Sequence, residues 1–383
     1  MSIREYAGCR PCVLFCFLWV AFGCFTQDVS SQSPSAALDA KPARKKAGVN
    51  TQFYVDPGWS SERFPDHAMC YRTAADLAEI YAKASRDKGT AVVSYEKPVD
   101  GSLRIVGTGH SFMMPGYSTL PIITSSAGLR QPAPVLHVGG GVTGSSRYKW
   151  EQENGIFSFD QKPVPKLLSS IAGGKWDAMM WGPFFHDRKE YYSCWIDFCR
   201  KHDQDMKFYL SDAWPQLDQL NPIPTTEDEL TDAVVARMHA EKREAYGPII
   251  RELNDMYGDC VFVLPTSRAM VLAVEYYHRG ELPGVEGIHK AVGGHERSLW
   301  RDRLGHLGHG MESLEGYVFY ATLYGRSPEL IERDVPFPQK GDYPSTNLDR
   351  VFRKIAWQAA ISDPMSGIVD KNKNGIADAR ERD

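Results

Sequence analysis

Leu103-Arg104-Ile105-Val106-Gly107-Thr108-Gly109-His110-Ser111-Phe112 decides how the chain is read. An apolar run closing in a glycine-flanked serine predicts a buried strand over Leu103 to Gly107, with the Ser111 hydroxyl held open just beyond its carboxyl end. Four more short apolar runs bounded by turn residues follow: Pro134 to Val138, Trp176 to Trp181, Met206 to Leu210 and Cys260 to Leu264. Helical patterns fall between them at 165–172, 187–201, 226–243 and 248–257, the last starting at Pro248 and stopping at Gly258. Strands alternating with helices predict an α/β fold, a three-layer α/β/α sandwich on a parallel, flavodoxin-like sheet. Its site is expected at the carboxyl ends of the strands. Further helices are predicted over Glu312 to Tyr324, before Gly325, and over 347–361, where Leu348, Val351, Phe352, Ile355 and Ala359 share a face.

The chain has 383 residues, 43% apolar and 24% charged, which is the composition of a globular domain and neither a disordered chain nor a membrane bundle. Its net charge is -4 and no basic block occurs in its body, so no nucleic-acid partner is expected. Arg4 and Arg10 precede the apolar run Cys12 to Phe25, which is shorter than the about twenty residues that span a bilayer. Residues 1–27 therefore read as a signal peptide and the protein as exported: periplasmic, cell-surface or extracellular. Membrane attachment is expected only if Cys24 is lipidated. Residues 28–50 read as a flexible leader, 51–362 as the folded domain and 363–383 as a separate tail, with 215–258 as an insertion or cap. A helix of about fifteen residues is predicted after the capping-box spacing Thr73 to Asp76. The body carries Cys70, Cys194, Cys199 and Cys260, which allow two disulfides in any of three pairings or buried thiols.

A nucleophilic serine needs a base, and Asp302-Arg303-Leu304-Gly305-His306 supplies a carboxylate and an imidazole on one loop, just before a strong helix. Asp302 at the imidazole Nδ1 would leave Nε2 to take the serine proton. His309 competes with His306 for that role, with a solvated loop residue as its plain reading. Separately, each piece is ordinary: a turn serine, and an Asp302 between Arg301 and Arg303 that is a surface ion pair.

Taken together and in this order, these residues resemble the SGNH (GDSL-like) hydrolase superfamily. Val138-Gly139-Gly140-Gly141 is similar to the family's oxyanion-glycine segment and Lys175 to Met180 to its third strand. Ser211-Asp212-Ala213-Trp214 and the stretch Glu315 to Gly325 are similar to segments of its members. The resemblance covers 102–330 in patches. It implies ester hydrolysis with Ser111, His306 and Asp302 as catalytic residues, and with the Ser111 and Gly141 amides as oxyanion donors. By analogy it also implies a small-molecule or polysaccharide ester as substrate, such as acetyl groups on carbohydrate. The chain departs from the family in three places. Residue 110 is His in place of Asp or Asn, and three residues rather than two separate Asp302 from His306. The third strand leads into Trp181-Gly-Pro-Phe-Phe-His186-Asp187, with no Asn to act as side-chain oxyanion donor. Trp181 or His186 could replace it, although side chains such as Trp181 and Phe184 are more often core or pocket wall than chemistry.

Two other classes fit parts of this pattern. A non-catalytic carbohydrate- or surface-binding protein on the same fold would account for the missing Asn. A transition-metal hydrolase would use His306, His309 and Asp302, with His110 or His186, although no helical His pair dictates such a site.

Residues 370–381 match the twelve-residue calcium loop position by position. Asp370, Asn372 and Asn374 occupy positions one, three and five, Gly375 the turn, Ile376 the carbonyl position, Asp378 position nine and Glu381 the closing bidentate position. A structural calcium ion is the one cofactor expected, and none is required for the chemistry.

Overall fold

The computed structural model describes residues 97–138, 167–183, 187–339 and 341–381. The expected signal peptide, the leader, the helix after Thr73, Cys70, Gly141, Phe184 and His186 lie outside them.

Five parallel strands form the sheet: β1 (Ile105–Gly109), β2 (Val135–Val138), β3 (Ala178–Trp181), β4 (Lys207–Ser211) and β5 (Val261–Leu264). Their order, β2-β1-β3-β4-β5, is that of a flavodoxin-like sheet. All five coincide with the apolar runs. The alternation of side chains along each strand divides the core into two layers. Ile105, Ala178, Met180 and Tyr209 face one cluster, built with α1 (Met114–Ser126), α5 (Thr266–His278), α7 (Glu312–Tyr324) and α8 (Thr346–Ser362). Val106, Met179, Trp181, Phe208 and Leu210 face the other, built with α2 (Leu167–Gly173), α3 (Lys189–His202) and the second half of α4 (Asp232–Tyr257), whose Val235 and Met238 belong to the first cluster. A three-layer α/β/α sandwich results. A short parallel pair, β6 (Gly287–His289) with β7 (Ser298–Trp300), brackets the one-turn helix α6 (Lys290–Gly293).

Pro248, expected to start a new helix, lies inside the continuous α4. Val235 and Met238 in its first half and Ile249, Ile250 and Leu253 in its second are all buried, so packing at both ends offsets the hydrogen bond that proline removes. Within the 215–258 stretch, expected as an insertion or cap, Asp232–Tyr257 forms this one helix. Cys199 and Cys260 are buried thiols. Among the described residues no helix is long and apolar enough to cross a membrane.

α1 and α7 cross closely because each presents a glycine. A Cβ at Gly116 would run into the Phe319 ring, and one at Gly316 would run into Thr119. This crossing places the segment after β1 against the segment before α7.

Candidate active site

The order of the strands reverses around β1 and β3, and ligands of such sheets bind at the carboxyl ends beside that switch. Ser111 stands there, exposed, two residues after β1. Its turn is closed by the Met113 amide donating to the His110 carbonyl at 2.9 Å. Gly109 is needed for close approach, since Met113 Cγ would lie 2.7 Å from a Cβ there. His110, the departure from Asp or Asn, does what a short acceptor side chain would do. Its Nδ1 accepts from the Phe112 amide at 3.3 Å while Nε2–H donates to the Pro183 carbonyl, a consistent tautomer.

His306 comes from a tight loop between β7 and α7. The Arg301 amide donates to the His306 carbonyl at 2.7 Å, Trp300 and Leu307 form an antiparallel bridge, and the Gly305 amide donates to the Asp302 carbonyl. Gly305, at φ +90°, makes that turn possible. The loop folds Asp302 back onto His306 despite the longer spacing. His306 Nδ1 lies 3.0 and 2.9 Å from the two Asp302 carboxylate oxygens, and the His306 amide donates to Oδ1 at 3.3 Å. Its Nε2 stands 2.7 Å from Ser111 Oγ, and the Phe112 ring packs edge-on against the imidazole at 4.9 Å. With Nδ1 protonated toward Asp302, Nε2 is left to accept from the serine.

Burial pulls the Asp302 carboxyl upward, but the hydrogen bonds and charge of His306, with Arg301 adding a weaker pull, hold it below the ordinary carboxylate range. Asp302 is thus the ionised partner of an imidazole whose side chain is only 19% exposed. Ser111, Phe112, Met114, Trp214, Arg301 and His306 line a cleft of about 350 Å³. His309 does not compete for the serine. It lines a neighbouring cavity with Ile122, Phe337 and Pro344, its ring 6.3 Å from that of Tyr343.

Trp181 points to the opposite face of the sheet from Ser111's helix. It is wholly buried between Tyr192 and Phe208, at 4.9 and 5.2 Å between rings, and its indole N–H is unbonded among the described residues. It is core rather than an oxyanion donor. Both ring nitrogens of His306 are engaged by Ser111 and Asp302, and among the described residues no three His, Cys, Asp or Glu side chains converge as metal ligands. Of the cleft walls, Met114 and Glu312 carry no motif of their own, whereas Trp214 closes the Ser211-Asp212-Ala213-Trp214 segment. Glu315 did leave a trace, an acid inside the apolar run Leu314 to Ala321.

At the other end of α7 the tail forms a compact loop. Asp370 accepts from the Asn374 and Gly375 amides at 3.1 and 3.0 Å, Asp378 from the Lys371 amide at 3.0 Å, and Glu381 Oε1 from the side-chain amides of Asn372 and Asn374. Gly375 has φ +81°. An Arg326–Ile376 bridge, with the Ala377 amide donating to the Gly325 carbonyl and the Ser327 amide to the Gly375 carbonyl, fastens the loop to the end of α7.

No protein-family model matches the chain, and no curated protein does. Among solved structures, the chain is similar to the crystal structure of a DUF4886 family protein from Bacteroides uniformis ATCC 8492, determined at 1.50 Å. The identity is 13% and the TM-score 0.45, over 68% of this chain and 95% of that one.

Proposed function

We propose that the protein is an exported serine-dependent ester hydrolase of the SGNH type, acting on acyl groups such as acetyl carried by carbohydrate. The observation that carries this reading is the chain of contacts Asp302–His306–Ser111 at 2.9 and 2.7 Å, opening on a cleft at the switch point of the sheet. Ser111 Oγ attacks the ester carbonyl carbon as His306 Nε2 takes its proton, and Asp302 stabilises the imidazolium. When the tetrahedral intermediate collapses, the carbon–alkoxide bond breaks and His306 returns the proton to the departing alcohol. Water then attacks the acyl-serine as His306 Nε2 takes its proton; the acyl carbon–Oγ bond breaks, His306 returns the proton to Ser111 Oγ, and the acid leaves. The Ser111 and Gly141 amides are the proposed donors to the oxyanion. An exposed serine at an open cleft suits an ester displayed on a polymer.

Labelling by a serine-directed fluorophosphonate tests the nucleophile without knowledge of the substrate. The wild type is expected to label at Ser111 and the Ser111→Ala variant not at all. A folded wild type that stays unlabelled favours a carbohydrate- or surface-binding protein.

Calcium at the tail belongs to the same proposal. Asp370, Asn372, Asn374 and Glu381 are hydrogen-bonded within one compact loop, and side chains of these types in that order offer the oxygens that calcium takes. Its role there is structural, fixing the tail to α7.

A further inference from the structure

Helix α1 begins without a cap of its own. Met113 at its N-cap makes no side-chain bond, and its first turn holds no acidic residue. The first amides of a helix have no partner within the helix, so the buried one at Gly116 must find an acceptor elsewhere. Glu315, in the first turns of α7 and wholly buried, provides one: its Oε2 accepts from the Gly116 amide at 2.7 Å. Its other oxygen completes no bond among the described residues, nor does the Trp214 indole N–H, the group that faces this carboxyl. Trp214 in turn walls the cleft that holds Ser111 and His306.

Resting on the ester hydrolase reading, we infer that Glu315 is a positioning residue. It joins the start of α1, directly after the nucleophile's turn, to α7, directly after the base, and it backs the Trp214 wall. The two helices already touch at Gly116 and at Gly316, the next residue after Glu315, so a shift at this contact moves Ser111 relative to His306. Burial pushes the Glu315 carboxyl well above its usual range, against weaker downward pulls from the Gly116 amide and the Trp214 indole. Its bond to the Gly116 amide needs only an oxygen acceptor, which a glutamine side chain also offers.

The test compares Glu315→Gln and Glu315→Leu with wild type for hydrolysis of a short aryl ester, for the rate of Ser111 phosphonylation, and for folding by calorimetry. Glu315→Gln, which still accepts from Gly116, should keep kcat within about fivefold. Glu315→Leu should lower kcat and the phosphonylation rate by about 20- to 100-fold, with KM within about threefold, because small misplacements of reacting groups have effects of that size. Glu315→Leu folded and within about threefold of wild type, or Glu315→Gln folded but more than about fiftyfold slower, overturns the inference; Glu315→Gln alone decides it if the leucine variant does not fold. A folded wild type with neither turnover nor labelling overturns the ester hydrolase reading and takes this inference with it.

Discussion

Ser111 Oγ and His306 Nε2 stand 2.7 Å apart across 195 positions of sequence. Neither helix next to them carries either group; each is held by the turn or loop just before its helix. Their distance therefore depends on how α1 and α7 pack, and on the loop that folds Asp302 onto the far side of the imidazole.

Asp302 is the first place to disturb that arrangement. Asp302→Asn replaces one carboxylate oxygen with a donor and removes the negative charge facing Nδ1, so kcat/KM should fall by about 10²–10⁴ with the fold unchanged. Because His306 and Arg301 hold this carboxyl below its ordinary range, wild-type activity should not lose the Asp302 charge until the pH falls below that range. A pH–rate profile of wild type and variant reads both effects.

The helix crossing can be loaded sterically. Gly316→Ala drives a methyl group into Thr119, and overpacking of this kind typically destabilises by about 1–3 kcal/mol. Chemical denaturation should show that loss, and kcat should drop with it because the same contact spaces α1 from α7. Unchanged stability would mean that the two helices can move apart freely.

Much of this was legible beforehand. The strands are visible because those buried on both faces are largely continuous apolar runs, the half-buried edge strand β2 also being mostly apolar, and α7 because its apolar stretch ends at Gly325. Ser111, Asp302 and His306 were legible as residue types in order, but their contact was not, since it is made by the loop closed between Arg301 and His306. α1 was hidden by Pro115, Gly116 and Pro121, which read as breakers, whereas here a proline in the first turn and a glycine at a helix crossing are both tolerated. α5 was hidden by its nearly uniform burial, which leaves little helical period to detect. Trp181 looked like a site residue from its place at a strand end, but strand alternation directs it to the other layer.

Asp212, just past β4 and fully buried, should shape the pH dependence of stability. Burial pushes its carboxyl from 3.8 up to about 7; the Ser267 amide opposes this, Asp363 adds to it, and Thr266 and Arg243 oppose it further. The folded state thus binds this proton more tightly than the unfolded chain. Its contribution is fully present below the unfolded value near 3.8 and is lost as the pH rises toward about 7. Asp212→Asn should remove that slope, gaining up to about 4 kcal/mol on wild type between pH 4 and 8 in denaturant unfolding. His239, which burial pushes down to about 4, imposes the opposite slope in both proteins and cancels in the comparison.

Calcium should stabilise the tail. Millimolar calcium is expected to raise the Tm of the full chain, by the equivalent of about 2.7 kcal/mol once the ion is at a hundred times its Kd. Magnesium, which demands a tighter octahedral shell, should do less. Asp370→Ala should abolish the shift and leave ester hydrolysis unaltered. A shift that survives this substitution would place the ion elsewhere.

Hydrolysis of acetylated xylan and of short aryl esters by the wild type, Ser111→Ala and His306→Ala addresses the proposed nucleophile and its proposed base together. The expected result is turnover by the wild type and a fall of about 10³ or more in each variant, with circular dichroism unchanged. Equal rates in all three folded proteins, or no release above buffer from any of them, would contradict a catalytic role for the Ser111–His306 pair.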